Sequence, residues 1–530
     1  MNALTGTGTL LRLGLRRDRV MIPIWVLVLA SFPITTLSSY QGLYKTQAER
    51  ADFIAGVNGN ATQLAFYGEA HSASLGGLTA WRMTTLGVTL LAIMTLMLVV
   101  RHTRAEEEEG RLELVGSGVV DRHAPLTAAL LVAVVANAAL ALLAALSLAG
   151  QGLAGAFAFG LAWFAGGFFF AGVAAVAAQV TENSRAARGI TVAVIGLAFA
   201  IRAVGDSSEG AGWLTWLSPI GWSEHVQAFA GNRFWVLAVP LVLGAALMAS
   251  AYGLIGRRDH GAGLVPSRPG PATAAPALRS PLALAWRLQR GSLIAWVTGF
   301  AAYGVILGTM ADGVRDLVGD SEGTQDIVTR LGGASDLVDA YLAAMVGLLA
   351  GIASIYGVQA AMRLRTEETA QRAEPVLATG IGRVRWACSH LAIALAGTLA
   401  MLLGAGLMIG LAHGAATGDL GGEVADELGA VLVQVPAVWL VTAIAVALFG
   451  LAPRFSVGAA WGLAGTFLLI GQLGPLLEVS QAVMDLSPFT HVPKLPGGTV
   501  TATPLAALLA IMVVLIGAGL YGFRRRDIAT

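Results

Sequence analysis

RAEEEEGRLELV, residues 104–115, and RTEETAQRAEPV, residues 365–376, are two copies of one charged dodecamer in a mostly apolar chain. The shared positions carry arginine or glutamate in both copies: Arg104, Glu106, Glu107, Arg111 and Glu113 match Arg365, Glu367, Glu368, Arg372 and Glu374, each 261 residues later. A chain built from an internal repeat returns its other landmarks at a similar spacing. The dodecamers therefore predict a fold made of two related halves.

Other landmarks recur as the repeat requires. The matching positions are Arg16, Arg19 and Trp25 with Arg287, Arg290 and Trp296; Arg185 and Gly189 with Arg454 and Gly458; Leu217, Ser218 and Pro219 with Leu486, Ser487 and Pro488; and Arg258 and Asp259 with Arg526 and Asp527. Their offsets lie between 268 and 271 residues. The smaller offset of the dodecamers indicates that the first outer loop is about ten residues longer in the first half.

Composition indicates that both halves lie in a membrane. Hydrophobic residues make up 56% of the 530 residues and charged residues only 12%, against about 25% charged residues in soluble proteins. The mean hydropathy is +0.72, which is typical of a protein with many membrane spans. The net charge of +1 gives no basic surplus, which argues against nucleic acid as a partner.

Apolar runs long enough to cross a bilayer occur twelve times. They lie at residues 20–40, 83–101, 125–148, 153–179, 189–205, 234–256, 293–311, 340–362, 387–414, 427–452, 457–477 and 503–523. A Pro-, Ala- and Gly-rich linker at residues 260–280 separates six runs from six. We therefore expect an all-α membrane protein with halves at 1–259 and 281–530. Because each half has an even number of spans, the halves are parallel six-helix repeats that form an internal pseudo-dimer.

The distribution of arginine and lysine predicts the orientation. A cytoplasmic N-terminus leaves few of these residues outside or in a span, namely Lys45, Arg50, Arg82, Arg202, Arg233, Arg315, Arg330 and Lys494. By the positive-inside rule, both termini, the linker and both dodecamers are then cytoplasmic. The long polar outer loops, residues 41–82 and 312–339, should form short helices over the exit.

Each half begins with a short charged segment. In residues 9–19, Arg12, Arg16 and Arg19 follow helical spacing while leucines lie on a separate stripe, which predicts an amphipathic elbow helix at the inner interface. Residues 282–290 have the same character, with Trp286 as an interfacial anchor. An ordinary positively charged flank is the alternative interpretation.

The dodecamers are predicted to be short charged helices between the second and third spans of each half. Acidic residues at the start of the first copy suit the positive end of the helix dipole, and arginines nearby permit local ion pairs. A single copy would usually be a solvated loop helix. Repetition favours a docking surface for two identical partner subunits, with Glu107 and Arg111 at one subunit interface and Glu368 and Arg372 at the other. Pro375, which replaces Leu114, should interrupt the second copy.

The chain resembles the membrane permeases of type-two ATP-binding-cassette exporters, in the tandem-fused actinobacterial form that includes tetronasin-type antibiotic transport permeases. The stretches that carry the resemblance are the elbow arginines, RAEEEEGRLEL at 104–114 with its copy, TENSRAARG at 181–189 and WLSPIGWSEHVQAFAGNRFWVL at 216–237. The second half departs from this pattern, because residues 487–498 lack the tryptophan-rich sequence. The resemblance covers nearly the whole chain.

This resemblance implies an antibiotic or multidrug efflux permease in a bacterial cell membrane. It implies two facing halves with a substrate path between them, and a coupling helix in each half, formed by the dodecamer residues, that contacts one of two copies of a separate ATPase. ATP and Mg²⁺ would bind that ATPase, with no cofactor or metal in this chain. The substrates would be amphipathic compounds, either antibiotics and drugs or lipid-like molecules, taken from the cytoplasm or the inner leaflet.

Absent motifs agree with a transport subunit rather than an enzyme. The only lysines, Lys45 and Lys494, complete no phosphate-binding P-loop, and no catalytic constellation of a membrane enzyme occurs. The apolar runs carry almost no carboxylates away from their ends, which makes a proton-driven secondary exporter the weaker alternative. A membrane enzyme or scaffold is a third hypothesis. Cys388, the single cysteine, is interpreted as structural.

Candidates for the substrate path are few. Arg202 could meet an anionic group, although an interaction with Asp206 is the favoured interpretation. Polarisable and aromatic side chains could line an adaptable cavity, or could simply pack between helices. These candidates are Met94, Met97, Phe199, Met345, Tyr356 and Phe467.

Overall fold

The computed structural model describes residues 4–208, 210–259, 261–266, 270–311, 336–473 and 480–528, and within these ranges all regular structure is helical. Packing contacts divide the chain into two compact units, Met1–Gly270 and Pro271–Thr530. The division falls within residues 260–280, the Pro-, Ala- and Gly-rich stretch. Each unit is described separately below.

The first unit contains twelve α-helices in the part of the chain described. They are α1 Thr7–Arg17, α2 Met21–Leu43, α3 Gln47–Asn58, α4 Ala61–Tyr67, α5 Leu75–His102, α6 Arg104–Glu108, α7 Arg111–Gly116, α8 Ala124–Leu148, α9 Leu153–Val180, α10 Ser184–Ser207, α11 Gly221–His225 and α12 Ala238–Ile255. Polar side chains begin several of them: Ser74, Asn60 and Asn183 accept hydrogen bonds from the free backbone N–H groups of α5, α4 and α10. Thr46 and Glu49 form a complete capping box on α3.

Helix α9 lies at the centre of the first unit. It packs against α5, α8 and α12, and small residues permit these close approaches. At Gly87 of α5, an added Cβ would lie 1.9 Å from Cζ2 of Trp163 of α9, a side chain that is 1% exposed. The indole therefore occupies the volume that the glycine leaves empty.

The second unit contains nine helices among its described residues. They are α13 Pro281–Ala311, α14 Leu337–Ala361, α15 Arg363–Thr369, α16 Ala373–Ala378, α17 Arg383–Thr417, α18 Leu420–Leu451, α19 Ser456–Leu473, α20 Gln481–Met484 and α21 Ala502–Arg525. Here α18 is central and packs against α17, α21 and α14. At its crossing with α21, Gly450 and Gly519 bring the two backbones together: a Cβ at Gly450 would lie 1.9 Å from the carbonyl oxygen of Gly519.

Eleven helices in the described ranges are long and apolar enough to cross a membrane: α2, α5, α8, α9, α10, α12, α13, α14, α17, α18 and α21. The protein is therefore an all-helical, multi-pass membrane protein. The twelfth expected span, residues 457–477, coincides with α19, whose described apolar part, Ser456–Gly471, is shorter than the others.

The segments at the start of each half differ from each other. Helix α1 is a separate helix before α2; Arg12, Arg16 and Arg19 are exposed, while Leu11 and Leu15 pack against the core. The expected second elbow, residues 282–290, is instead continuous with the following span in the 31-residue helix α13. Gly291, between the two segments, keeps a helical backbone instead of capping the first one, so the segments join in one helix.

Short helices occur in the first of the two predicted outer loops. Residues 41–82 contain α3 and α4, as expected. Most of the other loop, residues 312–335, lies outside the described residues.

Candidate functional site

Each charged dodecamer forms two short helices with a sharp turn between them. In the first unit, α6 and α7 are separated at Gly110, whose φ of 71° is in the left-handed region that glycine adopts without strain. In the second unit, α15 and α16 are separated near Gln371, with φ of 55°. Pro375 lies in the first turn of α16, where a missing N–H breaks no intrahelical bond. The expected interruption at Pro375 is therefore wrong, because the chain turns before it.

The central carboxylate of the first dodecamer is buried and anchored within its own unit. The Glu107 side chain is 7% exposed and accepts two hydrogen bonds from the Arg258 guanidinium, of 2.5 Å from Nη1 and 3.0 Å from Nη2. It also accepts one of 2.7 Å from the backbone N–H of Gly261. Arg104, itself buried, lies 3.1 Å from Glu107 and donates to the carbonyl oxygen of Ala178 at the end of α9. The dodecamer is thus joined to the segment that follows α12.

The second dodecamer is anchored in the same way. The Glu368 side chain is 1% exposed and accepts hydrogen bonds of 2.5 Å and 2.8 Å from Nη1 and Nη2 of Arg526, which follows α21. Arg365 lies 3.1 Å from Glu368, as Arg104 lies from Glu107. Two-point contacts between arginine and carboxylate are among the strongest hydrogen-bonded ion pairs.

The second arginine of each dodecamer pairs with the first glutamate of that dodecamer. Arg111 donates from Nε to Glu106 at 2.6 Å, and Arg372 donates from Nε to Glu367 at 2.9 Å. These hydrogen bonds raise the pKa of both guanidinium groups, so both stay charged. The buried glutamates Glu107 and Glu368 instead contact the more distant Arg258 and Arg526.

The exposed part of each dodecamer is the second short helix. The side chains of Arg111 and Arg372 are 40% and 54% exposed, and Glu113 and Glu374 are exposed as well. Leu114 adds an exposed apolar side chain in the first unit. Ten dodecamer residues are predicted to meet a partner. The most accessible of them are Arg111, Glu113, Arg372 and Glu374.

Arg202, the arginine predicted to lie in a span, is completely buried in the first unit. Its Nη1 atom lies 3.2 Å from Asp206 and 3.0 Å from Glu224, and Nη2 donates to the carbonyl oxygens of Ala65 and Phe66 in α4. The expected pair with Asp206 is present.

Glu224 was missed by the sequence analysis. Its only sequence signal is a lone carboxylate in the apolar stretch WLSPIGWSEHV. Glu224 also accepts a hydrogen bond from Thr85, and burial raises its pKa to about 8.

The other candidates for the substrate path do not converge on one cavity within either unit. Met94 and Tyr356 are 1% exposed and belong to the cores of their units, whereas Met97 is 40% exposed on the surface of α5. Phe199 and Met345 are partly buried. Phe467 lines a cavity of about 140 Å³ in the second unit, together with Gln434 and Thr490.

A buried carboxylate in the second unit was also missed. Glu427, about two turns into α18, is 1% exposed, and neither of its carboxylate oxygens has a hydrogen-bond partner. It is the first residue of the apolar run 427–452, where a carboxylate gives no signal of burial. A buried ionised carboxylate without partners is very unfavourable, which makes Glu427 unusual among the described residues of the spans.

Two comparisons with known proteins identify the family. Residues 278–524 match the family described as the C-terminal domain of the multidrug efflux system permease Rv1217c. The chain is also 45% identical over 528 residues to the multidrug efflux system permease protein Rv1217c of Mycobacterium tuberculosis (strain ATCC 25618 / H37Rv), covering 99% of this chain and 95% of that protein. Together with the apolar helices, this similarity shows that the chain belongs to the family of multidrug efflux system permeases, the membrane-spanning transport subunits of exporters rather than enzymes.

Proposed function

We propose that this permease is driven by ATP, through two copies of a separate ATPase that bind ATP and Mg²⁺, and that it expels amphipathic compounds such as antibiotics, drugs or lipid-like molecules. The observation that carries the proposal is an arrangement found in both units. Each charged segment is anchored by a buried glutamate and leaves an arginine and a glutamate exposed. Two equivalent surfaces are what two identical subunits require. The mycobacterial relative, a multidrug efflux permease, supports the substrate class.

The proposed architecture is a pseudo-dimer of two parallel six-span repeats, residues 1–259 and 281–530, joined by a cytoplasmic linker at 260–280. Helix α19 would supply the twelfth span, in part from residues beyond those described. The substrate path would run between the halves. Among its candidates, Met97, Phe199 and Met345 suit that role better than Met94, Tyr356 and Phe467, which are buried in the cores of their own units. Arg202 is better suited to holding the fold together, since buried partners surround it.

ATP dependence is tested by reconstitution. Because the chain contains no P-loop, the purified permease alone should show no ATPase activity, and substrate-stimulated hydrolysis should appear only when its partner ATPase is co-purified. Drug efflux should fail in cells that lack the partner. Efflux at the wild-type rate in those cells would overturn the proposal.

A proton-driven exporter is the second candidate function, and Glu427 is the observation that favours it. Buried carboxylates in membrane helices often carry protons in transporters. In proteoliposomes that contain only this chain, a pH gradient should then drive drug transport, and Glu427→Gln should abolish it. We expect no transport under those conditions, and expect Glu427→Gln to retain ATP-dependent efflux in the full complex.

The proposed orientation predicts that both termini and both dodecamers face the cytoplasm. In a Cys388→Ser background, single cysteines at the exposed positions Ser117 and Thr379 should react with a membrane-impermeant thiol reagent only after cells are opened. The Cys388→Ser change is needed because Cys388 is itself exposed. Labelling of either site in intact cells would contradict the orientation.

A further inference from the structure

An arginine shortly after the last helix of each unit, Arg258 or Arg526, interacts with several separate parts of that unit. In the first unit, Arg258 binds Glu107 through Nη1 and Nη2, and its Nε donates to Gln179 Oε1 at the end of α9, at 2.8 Å. Its carbonyl oxygen accepts a hydrogen bond of 2.9 Å from Arg122, which lies just before α8. One residue thus links the dodecamer, α9 and the start of α8.

Most of this arrangement recurs in the second unit. Arg526 binds Glu368 through the same two guanidinium nitrogens, and its carbonyl oxygen accepts a hydrogen bond of 2.7 Å from Arg383, the first residue of α17. The Arg526 guanidinium also lies over the rings of Phe449 and Phe523. Recurrence of both the side-chain and the backbone contact indicates a functional requirement, because nothing in helix packing alone calls for an arginine here.

Burial decides what these glutamates can contact. With side chains 7% and 1% exposed, Glu107 and Glu368 have little surface left for another protein. The exposed surface lies on the following short helix, at Arg111 and Arg372. A force applied at that surface would reach the membrane helices through the buried ion pairs, and these lead directly to α12 and α21.

We infer that Arg258 and Arg526 are positioning residues for energy coupling: each fixes its charged segment to the last membrane helix of its unit, so that movement of the segment moves that helix. This inference rests on the proposed ATP-driven function. It assigns Glu107 and Glu368 an intramolecular role, and leaves contact with the ATPase to the exposed second helices. The short segments after α12 and α21 become parts of the coupling element.

The test uses the second unit, where the pair lies near the end of the chain. Single variants Glu368→Arg and Arg526→Glu should lower substrate stimulation of the co-purified ATPase by about tenfold or more, while basal hydrolysis and retention of the ATPase on the permease persist. The double variant Glu368→Arg/Arg526→Glu should recover part of the stimulation, because opposite charges again face each other although Arg365 then lies beside a second arginine. Arg526→Lys should keep part of the substrate stimulation, since lysine retains the positive charge but cannot form the two-point contact with Glu368.

Arg525→Glu is the matched control, an exposed neighbour that should leave stimulation unchanged. Two results would overturn the inference: wild-type stimulation in Arg526→Glu, or a double variant no better than either single variant. The second result would indicate that Glu368 contacts the ATPase directly.

A second measurement keeps the test independent of the ATPase and of poorly folded variants. Thermal unfolding of the purified permease alone should show that the two changes are strongly non-additive, as for side chains in contact. If the effects of the two changes on the unfolding temperature are additive, Glu368 and Arg526 do not form an ion pair. If the effects on unfolding are non-additive but substrate does not stimulate the ATPase of the wild-type complex, the result would instead count against the proposed ATP-driven function.

Discussion

Replacing Arg202 by leucine should destabilise the first unit by about 3–5 kcal/mol, since removing one partner of a buried ion pair leaves the other charges uncompensated. Arg202 is fully buried and holds together α10, the loop helix α11 and the end of α4. Asp206 and Glu224 would lose their common counter-ion. The carbonyl oxygens of Ala65 and Phe66 would lose their donor, so the short helices between α2 and α5 should detach as well.

Thermal unfolding of the purified permease measures this effect, with an expected fall in Tm on the order of 10 °C. Arg188→Leu is the control, because it removes an exposed arginine from the other end of the same helix and should change Tm little. Adding Asp206→Asn to Arg202→Leu should recover part of the loss by removing a carboxylate that has lost its arginine. An unchanged Tm for Arg202→Leu would show that the buried cluster contributes no stability.

Local sequence patterns predicted the fold class well. Long apolar runs and the small share of charged residues indicate membrane helices whatever their neighbours are, because every backbone polar group must be satisfied inside the bilayer. Eleven of the expected spans correspond to helices of sufficient length. The prediction of a second elbow helix was wrong because the same amphipathic pattern can also continue into a span. Only the geometry of the flanking helix decides between a separate elbow and a continuous helix.

Long-range ion pairs were beyond what spacing could predict. Helical periodicity favours partners three or four residues apart, and the structure contains such pairs between Arg104 and Glu107 and between Arg365 and Glu368. It could not reveal Arg258, which is 151 residues from Glu107. The repeat did contain a usable signal: Arg258 and Arg526 occupy matching positions immediately after the last span of each half.

Buried single carboxylates were missed for a related reason. Glu224 and Glu427 lie close to the ends of apolar stretches, where a charged residue usually faces water. Glu427 is buried and the Glu224 side chain is only 14% exposed because other helices cover them, and that follows from tertiary packing. Glu224 has a buried arginine as partner, whereas both carboxylate oxygens of Glu427 lack a hydrogen bond.

Gly519→Leu should disrupt the packing of the last helix of the second unit. An added Cβ at Gly519 would lie 2.6 Å from the carbonyl oxygen of Val446, and the facing Gly450 leaves no room on the other side. The obstructing atoms are backbone atoms that cannot rotate away, so α18 and α21 must separate. Membrane helices associate largely through such close contacts between small residues. We therefore expect the free energy of unfolding to fall by about 3 kcal/mol or more, which is the upper end of the range for overpacked cores.

Gly517→Leu provides a closely matched control, since it lies on the same helix two residues earlier and has no atom within 4 Å of the added Cβ. It should unfold near the wild-type temperature, whereas Gly519→Leu should lower Tm by several degrees and reduce the yield of folded protein. Because α21 leads directly to Arg526, Gly519→Leu should also weaken the contact between Arg526 and Glu368, and with it the substrate stimulation of the ATPase. Equal Tm values for the two variants would mean that α18 and α21 are not packed together at Gly450 and Gly519.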